Sequence, residues 1–198
     1  MDAPFSAACA RNREPILAIL RRHFADRSQV LEIGSGTGQH AVYFAQALPH
    51  LIWQTSDRTG NHAGILAWLK DAALPNTPPP LVLDVGSGPW PATRHDAVFS
   101  ANTLHIMSWS EIESLFFALP AVTTADAKLV VYGPFNTGGN FTSPGNAAFD
   151  ASLRAQAAHM GIRDIEAVER LARNAGFTMI EEVAMPANNR CLAWQRQG

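Results

Sequence analysis

The chain has 198 residues, 47% of them hydrophobic and 16% charged, with a formal net charge of −2. That balance excludes a disordered chain and leaves no basic excess for gripping nucleic-acid phosphates or an anionic membrane surface. Two isolated cysteines, Cys9 and Cys191, give neither a disulfide framework nor a zinc site, and no apolar run reaches transmembrane length.

The opening "MDAPFSAACARNREP" has an acid at position 2 and no apolar core of a secretory signal, so a reduced, cytoplasmic protein is expected. Helical spacing of Ile16, Leu17, Leu20 and Phe24 predicts a first helix, with Pro15 in its first turn. "QVLEI" (29–33) is a short apolar strand, and "TGQHAVYFAQAL" is a helix with Val42, Phe44, Ala45 and Leu48 on one side. "LIWQTSD" (51–57) is a second strand, 62–72 a helix, "LVLDV" (81–85) a third strand and "HDAVFSAN" (95–102) a fourth. Ser110 with Glu113 reads as a capping box opening a helix over 110–122. "KLVVYGPF" (128–135) is a fifth strand, followed by a long insertion rich in Gly, Asn and Phe. A helix over 164–176 has Asp164 as N-cap and Gly176 at its C-terminal end. Strands at 178–185 and 190–196, joined by "PANN", close the chain as an antiparallel pair.

Strand–helix alternation predicts an α/β fold: a doubly wound, Rossmann-like, seven-stranded and mostly parallel sheet with an antiparallel last strand, helices covering both faces. One domain over 1–198 is expected, with an N-terminal cap segment (1–26) and a loop insertion (133–163).

In such a sheet, ligands bind beyond the carboxyl ends of the strands. The turn after the first strand carries Gly34, Ser35, Gly36 and Gly38, a G-x-G-x-G pattern preceded by Glu32. It is neither the G-x-G-x-x-G dinucleotide fingerprint, which would place a glycine where Gln39 stands, nor a P-loop, which needs a lysine. A nicotinamide-dependent reductase is therefore disfavoured. An acid ahead of the turn argues against polyphosphate and for a cationic ligand; S-adenosyl-L-methionine carries both an ammonium and a sulfonium. Asp57 and Asp84 end the next two strands, where one carboxylate can accept ribose hydroxyls and the other the adenine amino group, with Val85 flanking the ring.

The motif "EIGSGTG" and the strand order resemble class I S-adenosylmethionine-dependent methyltransferases. "FSAACARNREPIL", "FSANTLHIMSW", "YGPFNTGGNFTSPGNAAFDASLR", "GIRDIEAV" and "MPANN" are similar to the methyltransferase-like family catalogued as domain of unknown function 938. The resemblance implies the fold and an S-adenosylmethionine site, and it settles no substrate. Glu32, Asp57 and Asp84 fall on the superfamily's acidic positions. "NTLH" is not the Asn/Asp-Pro-Pro-aromatic motif of enzymes that methylate nucleic-acid amino groups.

Asn102 and His105 are the polar groups ending the fourth strand. His105 is a candidate general base, its alternative role being a hydrogen bond to a carbonyl. Asn102 is read as a cofactor contact, and Tyr132, in the fifth strand, as a second catalytic candidate. Phe135, Asn136, Phe141, Asn146, Phe149 and Arg154 are read as acceptor-pocket walls. Arg154 and Arg163 either meet an acidic acceptor or pair with Asp150 and Asp164. Arg13 is set against the methionine carboxylate or is a solvated helix-end charge. Asn188 is set against the acceptor or merely shapes the last turn. Scattered histidines without ligand spacing point to no metal. The expectation is a methyltransferase acting on a small-molecule acceptor; the alternative is a non-catalytic module binding S-adenosylmethionine or S-adenosylhomocysteine.

Overall fold

The computed structural model describes residues 3–198. Its elements run α1 (Ala7–His23), β1 (Gln29–Ile33), α2 (Gln39–Ala47), β2 (Ile52–Asp57), α3 (His62–Ala72), β3 (Leu81–Val82), β4 (His95–Ala101), α4 (Trp109–Val122), β5 (Thr123–Asn136), α5 (Pro144–Gln156), β6 (Arg163–Asp164), α6 (Ile165–Asn174), β7 (Phe177–Met185) and β8 (Asn189–Arg196). The sheet order is β3-β2-β1-β4-β5-β8-β7, with β6 pairing to β5. Pairs from β3 to β5 are parallel, and β8 runs antiparallel to both β5 and β7. The doubly wound sheet with its antiparallel tail is the architecture expected; the two-residue β6 makes the strand count eight.

Alternation along the strands divides the core. Leu31, Ile33, Val98, Leu129, Val131 and Trp194 pack with Leu115, Phe116 and Leu119 of α4 and Val168 of α6. Val30, Trp53, Phe99, Val130 and Ala193 pack on the opposite face with Ile16 and Leu20 of α1 and Phe44 of α2.

Several boundaries differ for local reasons. α1 begins about two turns earlier than Pro15 suggested, because Ser6 is extended and its side chain accepts from the Cys9 N–H; Pro15 lies inside the helix. Two Ser-x-x-Glu pairs compete for the start of α4. Ser108 with Glu111 forms the reciprocal capping box, not Ser110 with Glu113. The third strand stops at Val82 because the chain then turns through an Asp84–Gly88 bridge. The insertion is not one loop: Ser143 caps α5, with Pro144 at its first position. Asp164 precedes α6 but makes no side-chain capping bond, whereas Gly176 adopts φ +81° after the helix end.

Among the described residues, no helix is long and apolar enough to cross a membrane.

Candidate functional site

The turn after β1 is stitched to the end of β2: the Gly34 and Ser35 N–H groups donate to the Ser56 carbonyl at 3.0 and 3.1 Å. The glycines at 36 and 38 serve different ends. Gly38 has φ +87°, and a Cβ there would sit 2.9 Å from the Ile65 Cα of α3, so it allows helix packing. Gly36 has φ +57°, and nothing lies within 4 Å of where its Cβ would be. Its bare face opens on space that another molecule can fill.

Glu32 lies under this bend, fully buried, and its Oε2 accepts from Ser35 Oγ (2.8 Å) and Trp53 Nε1 (3.1 Å). Burial pushes its carboxyl up to about 7; the two hydrogen bonds oppose that shift, and nearby Asp57 adds to it. From about 4.5 to about 7 the native protein therefore holds a proton that the unfolded chain has released. Stability falls as pH rises across this window, by roughly 3 kcal/mol. Glu32→Gln is expected to flatten that fall in urea unfolding at pH 4.5 to 7.5. An unchanged slope would contradict the burial argument.

Asp57 ends β2 as a rigid acceptor. Its Oδ2 takes the Gly36 N–H at 2.7 Å, and its Oδ1 takes the Arg58 N–H (2.7 Å) and Asn61 Nδ2 (2.9 Å). A carboxylate offers about four lone-pair sites, so Oδ2 keeps one for a ligand.

These groups wall a cavity of about 1730 Å³ at the carboxyl ends of the strands. Glu32, Gly34, Ser35, Gly36, Asp57, Val85, Asn102, His105, Tyr132 and Asn188 all line it. α1 adds Ser6, Cys9, Arg11 and Asn12. That wall is held on α2, where the Ser6 N–H donates to Gln39 Oε1 (2.8 Å) and Asn12 Oδ1 meets His40 Nε2 (2.7 Å). Burial lowers His40 to about 4, so it stands neutral.

His105 stands on the β4–α4 loop, edge-on to Phe149 of α5 at 5.3 Å. Burial, assisted by the charge of Arg163, lowers it to about 4, leaving a neutral imidazole at pH 7. Its loop is clamped from β6. Arg163 donates to the carbonyls of Leu104 (3.2 Å), Met107 and His159 (2.8 Å), and the Gly161 N–H donates to the His105 carbonyl at 2.9 Å. Arg163 thus bonds main chain, not Asp164, while Arg154 pairs with Asp150 at 2.7 Å.

The family described as a protein of unknown function, DUF938, matches residues 3–196. This chain belongs to that family. Its fold is also that of solved class I methyltransferases. The S-adenosylmethionine-dependent methyltransferase SibL in its apo form is 24% identical, with a TM-score of 0.81 over 97% of this chain and 56% of that one. Mitomycin 7-O-methyltransferase MmcR is 15% identical, with a TM-score of 0.83 over 96% and 54%. Human N-acetylserotonin methyltransferase, in complex with S-adenosylmethionine, is 13% identical, with a TM-score of 0.77 over 96% and 53%. The DUF938 chain spans little more than half the length of these structures.

Not every expected residue of this DUF938 protein reaches the cavity. Asp84 turns away into an ion pair with Arg58 Nε (3.0 Å) and accepts the Gly86 N–H, leaving Val85 in the wall without it. Arg58 also pairs with Glu111, which places Arg58 and Glu111 in the wall where an acceptor for adenine was expected. Arg13 is corrected too: its guanidinium lies 4.5 Å over the Tyr43 ring of α2 and does not line the cavity, whereas Arg11 and Asn12 do. Gly38 packs on α3, as described above. Phe135 sits in the core against α4 and α6. Asn136 pairs in register with Asp164 in the sheet, and Phe141 is exposed; neither lines the cavity.

The sequence reading missed Arg11, Cys9, His40, Arg58, Asn61 and Met160 as wall or support. Asn61, four residues after Asp57, was the one with a local signal, because a turn following a strand end brings such a pair together. Among the described residues, no group of three or more His, Cys, Asp or Glu is placed to hold a metal ion.

Proposed function

We propose that this DUF938 protein is an S-adenosylmethionine-dependent methyltransferase acting on a small molecule. One observation carries the reading: the open face of Gly36, the pinned Asp57 carboxylate and the neutral imidazole of His105 share a single cavity. At about 1730 Å³ it exceeds the ~300–1,000 Å³ of an ordinary one-ligand site, and so has room for a cofactor and an acceptor together.

The residues fit an adenosyl group. The bare Gly36 backbone leaves space for it, the free Oδ2 site of Asp57 suits a ribose hydroxyl, and Val85 offers an apolar surface for a ring. Glu32 answers the positive charge, because a cation beside it draws the carboxyl back to its ionised form. Asn12 and Arg11, from α1, are the groups placed to meet an α-carboxylate. S-adenosylmethionine, when bound, supplies an electrophilic methyl carbon on a sulfonium. The chain's own part is to align the acceptor, exclude water and take a proton. His105 is neutral and fixed by the Arg163 clamp, so its ring nitrogen can receive the proton that an O–H or N–H acceptor sheds on alkylation.

His105→Gln is expected to slow methyl transfer about 100-fold or more, while the affinity for S-adenosylhomocysteine stays nearly unchanged. Unimpaired turnover in the variant would remove the base role. A crystal structure with S-adenosylhomocysteine tests the whole reading: adenosine is expected over Gly36 with its ribose on Asp57. Binding elsewhere would contradict it.

A further inference from the structure

We infer that the acceptor is an uncharged, largely apolar molecule that carries at least one O–H or N–H donor, and that Asn146 reads this donor. The inference rests on the proposed methyltransferase reading and adds the chemistry of the second ligand.

Among the described residues, the cavity's charged walls come from α1, β1 and the segments around β2 and the start of α4: Arg11, Glu32, Asp57, Arg58 and Glu111. The rest, from the β4–α4 loop, β5, α5 and the β7–β8 turn, contains no Asp, Glu, Lys or Arg. The insertion does carry charges beside this region, and each is consumed internally. Asp150 follows Phe149 directly, yet its Oδ1 accepts the Ile162 N–H (2.7 Å) and its Oδ2 the Arg154 Nε (2.7 Å). Arg163 is spent on three main-chain carbonyls. An ionised acceptor would find no charged side chain in this part of the wall to pair with directly, because Arg163 lies behind the loop with its N–H groups turned to main-chain carbonyls, and desolvating an unpaired charge is costly.

The same walls offer apolar surface. Phe149 and Ile106 are partly exposed large hydrophobics, and Met107 and Met160 stand beside them. An apolar body covers them favourably.

Asn146 supplies the polar term. It is buried, and its Nδ2 donates to Thr142 Oγ1 (2.9 Å) and to the Asn188 carbonyl (3.2 Å). The carbonyl can only accept, so the amide orientation is fixed with the nitrogen toward it. The Oδ1 is then an acceptor that no donor among the described residues meets. This oxygen, on a residue that lines the cavity, discriminates for a ligand donor once an apolar acceptor covers it, since leaving it unpaired is then unfavourable.

The test uses protein saturated with S-adenosylhomocysteine and three probes, 2-naphthol, 2-methoxynaphthalene and 3-hydroxy-2-naphthoate, with binding read by ligand-observed NMR titration. The expected result is that 2-naphthol binds, that its methyl ether binds about fivefold more weakly, and that the carboxylated probe binds more weakly still. Asn146→Ala is expected to abolish the preference for 2-naphthol over the ether. Phe149→Lys, on an exposed helical position, is expected to favour the carboxylated probe by about tenfold, and it keeps the test alive if the Asn146 variant fails to fold. Binding of the carboxylate as tight as that of 2-naphthol, equal binding of the ether, or no binding by any probe would overturn the inference. Failure of S-adenosylhomocysteine itself to bind is a separate result, and it would overturn the proposed function beneath it.

Discussion

Asp57→Ala is expected to weaken S-adenosylhomocysteine binding by about 1–3 kcal/mol, roughly 5- to 150-fold. The carboxylate does two things at once. It offers a ligand the one lone-pair site left on Oδ2, and it holds the bend, because the Gly36 N–H, the Arg58 N–H and Asn61 Nδ2 all end on it. Removal strands three donors and frees the turn that the ligand lies on. Asp57→Asn is expected to lose almost as much, since an amide in that place turns an N–H₂ group toward at least one N–H donor. Calorimetric titration of both variants checks this. Affinity equal to that of the unmodified chain would remove Asp57 from the site.

The second large effect concerns stability. Gly38→Ala is expected to lower the unfolding free energy by about 2–4 kcal/mol. The residue is at φ +87°, and its new Cβ would stand 2.9 Å from the Ile65 Cα and 3.4 Å from the Ile65 carbonyl oxygen. Those are backbone atoms, so no side chain can swing aside. The cost combines a left-handed conformation with overpacking, each worth about 1–3 kcal/mol. Gly36→Ala meets open space and should cost only the conformational strain, about 1–2 kcal/mol, while obstructing the ligand surface. Urea unfolding followed by tryptophan fluorescence separates the two. Equal losses would show that the packing against α3 is not the cause.

Much of this was legible in the sequence because it depends on local period and spacing. Apolar strands alternating with helical patterns gave the parallel sheet, and "PANN" between two runs gave the antiparallel close. Glu32 and the three glycines follow one another within seven residues, and Asp57 ends the strand paired beside them, so strand-end geometry leaves them little freedom. What failed depended on phase and on tertiary partners. Pro15 suggested a helix start, but α1 begins at Ala7. Residues 11 and 13 then point about 200° apart around the helix, so choosing Arg13 over Arg11 required a phase that the sequence did not supply. Phe135 was placed in the pocket, yet strand alternation sets it opposite Tyr132 and Pro134, toward α4 and α6. Asp84 was lost to Arg58, an ion pair that forms only once β2 and β3 are side by side. The α5 helix was hidden by its composition, since only Asn146, Asp150 and Leu153 are buried on it. Its start was nonetheless written as Ser143-Pro144, an N-cap followed by a first-turn proline.

The proposed function requires the bare bend at Gly36, flanked by Asp57, to receive an S-adenosyl nucleoside. Isothermal titration of the unmodified protein with S-adenosylhomocysteine, with NADH run alongside, tests it most directly. Saturable one-to-one binding of S-adenosylhomocysteine is expected, with no heat from NADH beyond dilution. Tight NADH binding with none of the adenosyl thioether would contradict it.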